Sequence, residues 1–198
     1  MEAEPPLTAF PAEELLALFP SIMHLSIQFS EDLPEEICNE YCVRVADHNE
    51  NVLLGCVDAG FNLMFPETAT LDHRETIRVD FGVRCEAHML TKNYRGENVA
   101  TPTAFFLHPR SSIGKVKPRM VLANGVGVID MDYRGPICGM FHILYEDRSD
   151  KETHHFFTAR HSVVQLCAPS LVPIWVTVVE KLSPSRKRGE GGFGSTGL

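Results

Sequence analysis

The chain has 198 residues, 44% of them hydrophobic and 22% charged, with a formal net charge of −8. That length suits one domain with room for an appendage, and the acidity argues against a general nucleic-acid binder, which would present a basic face. No apolar run is long enough to span a bilayer, and the acidic start Met1-Glu-Ala-Glu-Pro-Pro lacks a secretory apolar core, so a cytoplasmic or nuclear setting, not a secreted one, is expected.

Residues 1–24 are punctuated by Pro5, Pro6, Pro11 and Pro20 and read as an appendage. Within it, Glu13-Glu-Leu-Leu-Ala-Leu18 predicts one or two helical turns whose leucines need a surface to dock on. Met23-His-Leu-Ser-Ile-Gln-Phe29 alternates and predicts a strand. Asp32-Leu-Pro-Glu-Glu carries a capping residue, an early proline and first-turn acids, the marks of a helix start. From Val43 onward short strands are expected. Cys42-Val-Arg-Val-Ala46 and Val52-Leu-Leu-Gly-Cys-Val57 flank a polar turn, and Thr76-Ile-Arg-Val-Asp-Phe81 alternates again. Thr91-Lys-Asn-Tyr-Arg-Gly-Glu-Asn98 and the stretch 146–155 read as solvated loops. Asn124-Gly125 between Met120-Val-Leu122 and Gly127-Val-Ile129 is a two-residue hairpin signal. Strands are also expected at 104–107, 139–145, 155–157, 163–166 and 174–179. Many strands, few helices and frequent turns predict an all-β fold, a jelly roll or β-barrel with short helices in an N-terminal extension. The expected division is an extension over 1–40, a β domain over 41–184 and a flexible glycine-rich arm over 185–198.

The six cysteines show no zinc-knuckle spacing and are expected to be reduced, acting as small hydrophobes. His154, His155 and His161 lack accompanying ligands and are expected to be surface residues, not a metal site.

The chemistry concentrates in five short segments. They are Asp58-Ala-Gly-Phe-Asn-Leu63, Pro109-Arg-Ser-Ser112, Asn124-Gly-Val-Gly-Val-Ile-Asp-Met-Asp-Tyr-Arg-Gly135, Ser162-Val-Val-Gln165 and the tail Arg188-Gly-Glu-Gly-Gly-Phe-Gly-Ser-Thr-Gly-Leu198. The tail cannot pack a core, but its backbone N–H groups and Arg188 suit phosphate and Phe193 can stack on a base. Asp130, at the end of an apolar strand, is a candidate base; spacing alone does not choose between it and Asp132. Asn124 carries an amide able to donate and accept at once on the edge of a base.

In this order, over roughly residues 57–198, the segments resemble the five motifs of the trimeric deoxyuridine triphosphatases. The resemblance implies a distorted jelly-roll subunit, a homotrimer with arm exchange, and hydrolysis of dUTP to dUMP and pyrophosphate with Mg²⁺. It implies Asp130 as the residue that activates water. Asn124, Val128, Ile129 and Cys138 would line the uracil pocket, and Tyr133 would pack under the deoxyribose. Arg110, Ser111, Ser112 and Gln165 would contact phosphates, and Arg188, Phe193, Gly194 and Ser195 would close the arm over the ligand. Mg²⁺ is expected to ride on the substrate phosphates and water, with no direct protein ligand. The chain departs from the family at Asn62, where an acid is usual, and around 159–165 before Gln165. Two other readings are a dUTPase-fold interaction protein of reduced activity and a relative of the dCTP deaminases. The expected partners are dUTP and further copies of the chain, with no nucleic acid and no membrane.

Overall fold

The computed structural model describes residues 10–71, 76–116, 119–144, 155–186 and 189. Its first helix, α1 (Ala12–Leu18), leads into strand β1 (Ser21–Phe29), and a second helix, α2 (Glu35–Leu53), follows. Pro34 sits at the N-cap of α2, with Glu35 and Glu36 in its first turn. Ile37, Tyr41, Val45, Asn49 and Val52 recur at three- and four-residue steps and are the buried positions of α2. The strands expected at 42–46 and 52–57, and the turn between them, therefore do not form. The β-branched residues there satisfied an alternating pattern locally, but the helical period spans nineteen residues and buries more.

The remaining strands are β2 (Phe61–Leu63), β3 (Ala69–Leu71), β4 (Thr76–Lys92), β5 (Asn98–Pro102), β6 (Phe105–Pro109), β7 (Arg119–Leu122), β8 (Gly127–Ile129), β9 (Pro136–Leu144), β10 (His155–Phe157), β11 (Val164–Cys167) and β12 (Ile174–Val178). A six-stranded sheet runs β12-β1-β4-β9-β7, with β5 paired to β4. A four-stranded sheet runs β2-β11-β6-β8, and β10 pairs with β3. Strands thus dominate, in the layered manner of a distorted jelly roll, and the described strands close no barrel.

β1 lies inside the six-stranded sheet, parallel to β12 and antiparallel to β4. Residues 21–29 are therefore part of the sheet, and the boundary expected at residue 40 falls inside α2. α1 is also docked. Leu15 and Leu16 pack with Ile22, Val52, Leu90 and Trp175 in a small second core. Burying each leucine stabilises by about 1.5–3 kcal/mol. The main core gathers Met23, Leu25 and Ile27 of β1, Ile37 and Tyr41 of α2, Phe81, Val83 and Cys85 of β4, and Phe105 and Leu107 of β6.

β12 is an edge strand, and α2 caps its open side. Asn49 donates to the Val176 carbonyl at 2.8 Å and accepts from the Val176 N–H at 3.0 Å, and a His48 ring nitrogen lies 2.9 Å from the Ile174 carbonyl. Side chains here do what a further strand would otherwise do for the edge.

β4 bends at a register shift between Asp80 and Arg84. Gly82 adopts φ +70° there, and an added Cβ would come within 2.3 Å of Leu33. Asp80 fixes the bend by accepting the Gly82 N–H at 2.8 Å. Asn124-Gly125 does form a turn, with Gly125 at φ +69°. It does not close a hairpin, because β7 belongs to the six-stranded sheet and β8 to the four-stranded one. The stretch 91–98 is the tip of the β4–β5 hairpin, while 145–154 lies outside the described residues. All six cysteines are free thiols.

Candidate functional site

The order β2-β11-β6-β8 lays four of the five motif strands side by side. The first motif runs into β2, the fourth into β11, the second leaves the end of β6, and the third contains β8. Asn62, Gln165 and His108 stand in one register across three of these strands. Their neighbours Phe61, Leu63, Leu107 and Leu166 face the core, so alternation turns this polar row to the opposite face, where each member is half-buried. Gly60 lets the first motif lie against the glutamine: a Cβ there would stand 2.9 Å from Gln165 Oε1 and 2.7 Å from Cys167 Sγ.

Arg110 and Ser112 fasten the second motif to the fourth. Arg110 Nη1 donates to the Ser162 carbonyl at 3.0 Å, its backbone N–H to Val163 at 2.8 Å, and Ser112 Oγ to Ser162 at 3.2 Å. Arg44 of α2 reinforces the same loop through the Ser162 hydroxyl at 2.7 Å and the Arg160 carbonyl at 3.0 Å. Ser111 is exposed at the start of a 3-10 helix, Ser111–Lys115.

A second group of residues forms where β8 ends. Asp130 begins the connection to β9, and its carbonyl accepts the Tyr133 N–H at 3.0 Å. Val128 is exposed and Ile129 half-buried. Tyr133 is half-buried, with its hydroxyl donating to Pro136 at 2.9 Å. Burial chiefly raises its pKa above the usual tyrosine value. Cys138 on β9 is buried with Arg78 3.0 Å from its sulfur. Burial first, and then Asp80, push that thiol up to about 11, so it stays neutral at ordinary pH.

β6 and β8 are antiparallel, with Phe105 opposite Ile129 and Leu107 opposite Gly127. Arg110 follows the end of β6 and Asp130 follows the end of β8, so they lie at opposite ends of the pair. The offset is six residues of strand, about 20 Å. Asn124 is at the Arg110 end, away from Tyr133 and Cys138. One chain therefore does not bring its candidate base and its second motif together.

Sequence reasoning missed Arg78, Asp80, Arg84, Glu86 and Arg134. A cleft of about 680 Å³ beside the Asp130 turn is lined by Phe29, Asp80, Arg84, Arg134, Lys181 and Ser183. Arg134 lies within the quoted third motif and was visible as an arginine; its partner Glu86 lies 48 residues away and carried no local signal. Arg188, Phe193, Gly194 and Ser195 lie outside the described residues. The root of the tail is described and rests on its own chain. Asp132 accepts from Ser185 Oγ at 3.0 Å and the Arg186 N–H at 2.8 Å, and Gly189 bridges to Tyr133.

No family model matches the chain. The chain is similar to a protein named deoxyuridine 5'-triphosphate nucleotidohydrolase from Hydrogenovibrio crunogenus, 34% identical over 113 residues that make up 52% of this chain and 69% of the other. The protein of the same name from Crocosphaera subtropica is 30% identical over 141 residues, 71% of this chain and 85% of its own. Among solved structures, the dUTPase of Streptococcus mutans aligns over 56% of this chain and 76% of its own, at 25% identity and a TM-score of 0.40.

Proposed function

This chain belongs to the deoxyuridine 5'-triphosphate nucleotidohydrolase family, and from that premise we propose how its residues hydrolyse dUTP to dUMP and pyrophosphate. Water attacks the α-phosphorus, the bond from that phosphorus to the bridging oxygen breaks, and pyrophosphate leaves. Asp130 orients the water and takes its proton, an effect of about 10²–10⁴-fold for a well-placed base. Asp132 is held by Ser185 and Arg186, and the match to the family's third motif is what supports Asp130 as the base. Val128, Ile129 and Cys138 line the base pocket by their backbones, and Tyr133 packs against the sugar, where a ribose hydroxyl would clash. Ser111, Ser112 and Gln165 meet the phosphates, with the Arg110 side chain holding their loop to Ser162. Asn124, at the Arg110 end of the strand pair, stands with these phosphate-binding residues. Arg188, Phe193, Gly194 and Ser195 close over the bound nucleotide.

The observation that carries the arrangement is the separation of the two groups along β6 and β8. A substrate can meet both only where the Asp130 end of one copy faces the Arg110–Gln165 end of another. That supports a homotrimer with sites between copies. Each arm starts at its own Asp130 end and crosses to residues of a neighbour. Among the described residues no three His, Cys, Asp or Glu side chains form a metal-binding group, and the polar row offers amides and an imidazole. That donor set fits Mg²⁺ carried on the triphosphate, not one caged by the protein. Bound there, the ion would neutralise phosphate charge. Among the described residues no helix is long and apolar enough to cross a membrane, and we place the enzyme in the cytoplasm or nucleus.

Pyrophosphate release with dUTP, dTTP, dCTP and UTP tests the reading. A pocket without room for a 5-methyl or 2′-hydroxyl group, with polar groups that cytosine leaves unpaired, should favour dUTP by about 10²-fold or more in kcat/KM. Similar values for all four nucleotides would remove the pocket assignment. No turnover of dUTP would leave an interaction protein on this fold.

A further inference from the structure

We propose that Asp132, Arg134 and Glu86 form a clasp that holds the root of the tail against the turn carrying Asp130, which makes them positioning residues for the reaction. The proposal rests on the hydrolytic reading above, in which that turn carries the base. Arg134 is the centre of the clasp. Its Nε donates to the Ser183 carbonyl at 2.9 Å, and Nη1 to the Met131 carbonyl at 3.0 Å and the Tyr133 carbonyl at 2.9 Å. Nη2 reaches Glu86 Oε2 at 2.9 Å and Ser183 Oγ at 3.3 Å. All five N–H groups of the guanidinium are thus engaged, so this arginine serves as scaffold and has no donor left for phosphate. Ser183 also donates its hydroxyl to Glu86. The Arg134 and Glu86 side chains are only 15% and 12% exposed, so water screens their pairing little.

Asp132 forms the second half of the clasp. It accepts from Ser185 and Arg186, Ser185 Oγ accepts the Gly189 N–H at 2.6 Å, and the Arg134 N–H donates to the Gly189 carbonyl at 3.0 Å. Residues 131–134 are therefore tied to Ser183, Ser185, Arg186 and Gly189, next to the turn bond between Tyr133 and Asp130. The tail cannot shift without moving the base, and the base cannot shift without loosening the tail. Misplacing a reacting group by about 1 Å costs up to about 10²-fold, so the clasp sets the rate although none of its members touches the reacting atoms.

The test uses full-length Asp132→Ala, Ser185→Ala, the double variant and Arg134→Lys. Two readouts apply: kcat and KM with dUTP, and the rate of trypsin cleavage at residues 186–188 with and without a non-hydrolysable α,β-imido dUTP. Asp132→Ala and Ser185→Ala should each lower kcat by about 10- to 100-fold and speed cleavage. The double variant should fall no further than the worse single one, because both remove the same link. Arg134→Lys keeps the charge but cannot span the fork and should behave likewise. Multiplying losses in the double variant, or kcat and cleavage rates within two-fold of the parent, would overturn the clasp. If the parent does not turn over dUTP, the hydrolytic reading fails by itself, and cleavage still reports whether the clasp holds.

Discussion

Two aspartates stand two residues apart on the turn after β8, and their surroundings give them different work. Asp132 accepts two hydrogen bonds from the tail root, while Asp130 sits where β8 ends and its carbonyl starts the turn. Asp130→Asn keeps the size and most of the hydrogen-bonding surface but removes the charge that draws a proton from water. Single-turnover rates with dUTP should fall by about 10²–10⁴-fold, while equilibrium binding of α,β-imido dUTP stays within a few-fold. Near-parental turnover in the variant would take Asp130 out of the base role. Alternation along an extended chain would put both on one side and so cannot choose between them; in the structure residues 131–132 form a turn, and Asp132 meets Ser185 and Arg186 from some fifty residues away.

At the level of elements, β1 carries a half-buried histidine that should make the sheet sensitive to acid. His24 stacks on Phe10 at 4.2 Å, and its ring nitrogen lies 3.0 Å from Thr177 Oγ1. Burial first, and then His88 opposite it, lower its pKa from 6.5 to about 4, with Glu86 pulling weakly the other way. The unfolded chain therefore takes up the proton before the folded one does. Stability from this group is intact above about pH 6.5, declines as the pH falls towards 4, and levels off below. The loss is up to about 3 kcal/mol. His48 on α2 is lowered by burial in the same direction. Urea midpoints between pH 7 and pH 4.5 should drop less for His24→Gln than for the parent, because glutamine can still bond Thr177. Equal slopes for the two proteins would show that His24 is solvated or charged in the folded state. α2 shows why this element was hard to foresee: its contacts to Val176 and Ile174 cross more than 120 residues, and no local pattern reports them.

For the whole molecule, the consequence of the β6–β8 register is that activity should require two copies. Trimers mixed from Asp130→Asn and Gln165→Ala chains will contain some sites that pair an intact Asp130 with an intact Gln165 from a neighbour. Each variant alone should be nearly inactive, and the mixture should recover a measurable part of parental kcat once subunits exchange. No recovery, with exchange demonstrated by mass or fluorescence, would mean that both ends serve one chain or that the chain does not assemble. Sedimentation of the parent at three times its 22.1 kDa mass is the accompanying expectation.

The sequence by itself determined the chemistry and much of the strand content. Motif residues, glycine turns and alternating strands such as 23–29 act over a few neighbouring positions, so they are legible without a fold. The helix start near residue 35 was legible, but tertiary structure alone decided that the helix runs on to 53, because the helical face pays off only when β12 and the core are present to receive it. It also decided that Arg134 is scaffold instead of a phosphate ligand, since its donors are claimed by Glu86 and Ser183 some fifty residues away in either direction. Finally, it placed Arg110 and Asp130 at opposite ends of one strand pair. Motif order along a chain carries no information about which ends meet; strand direction and register do.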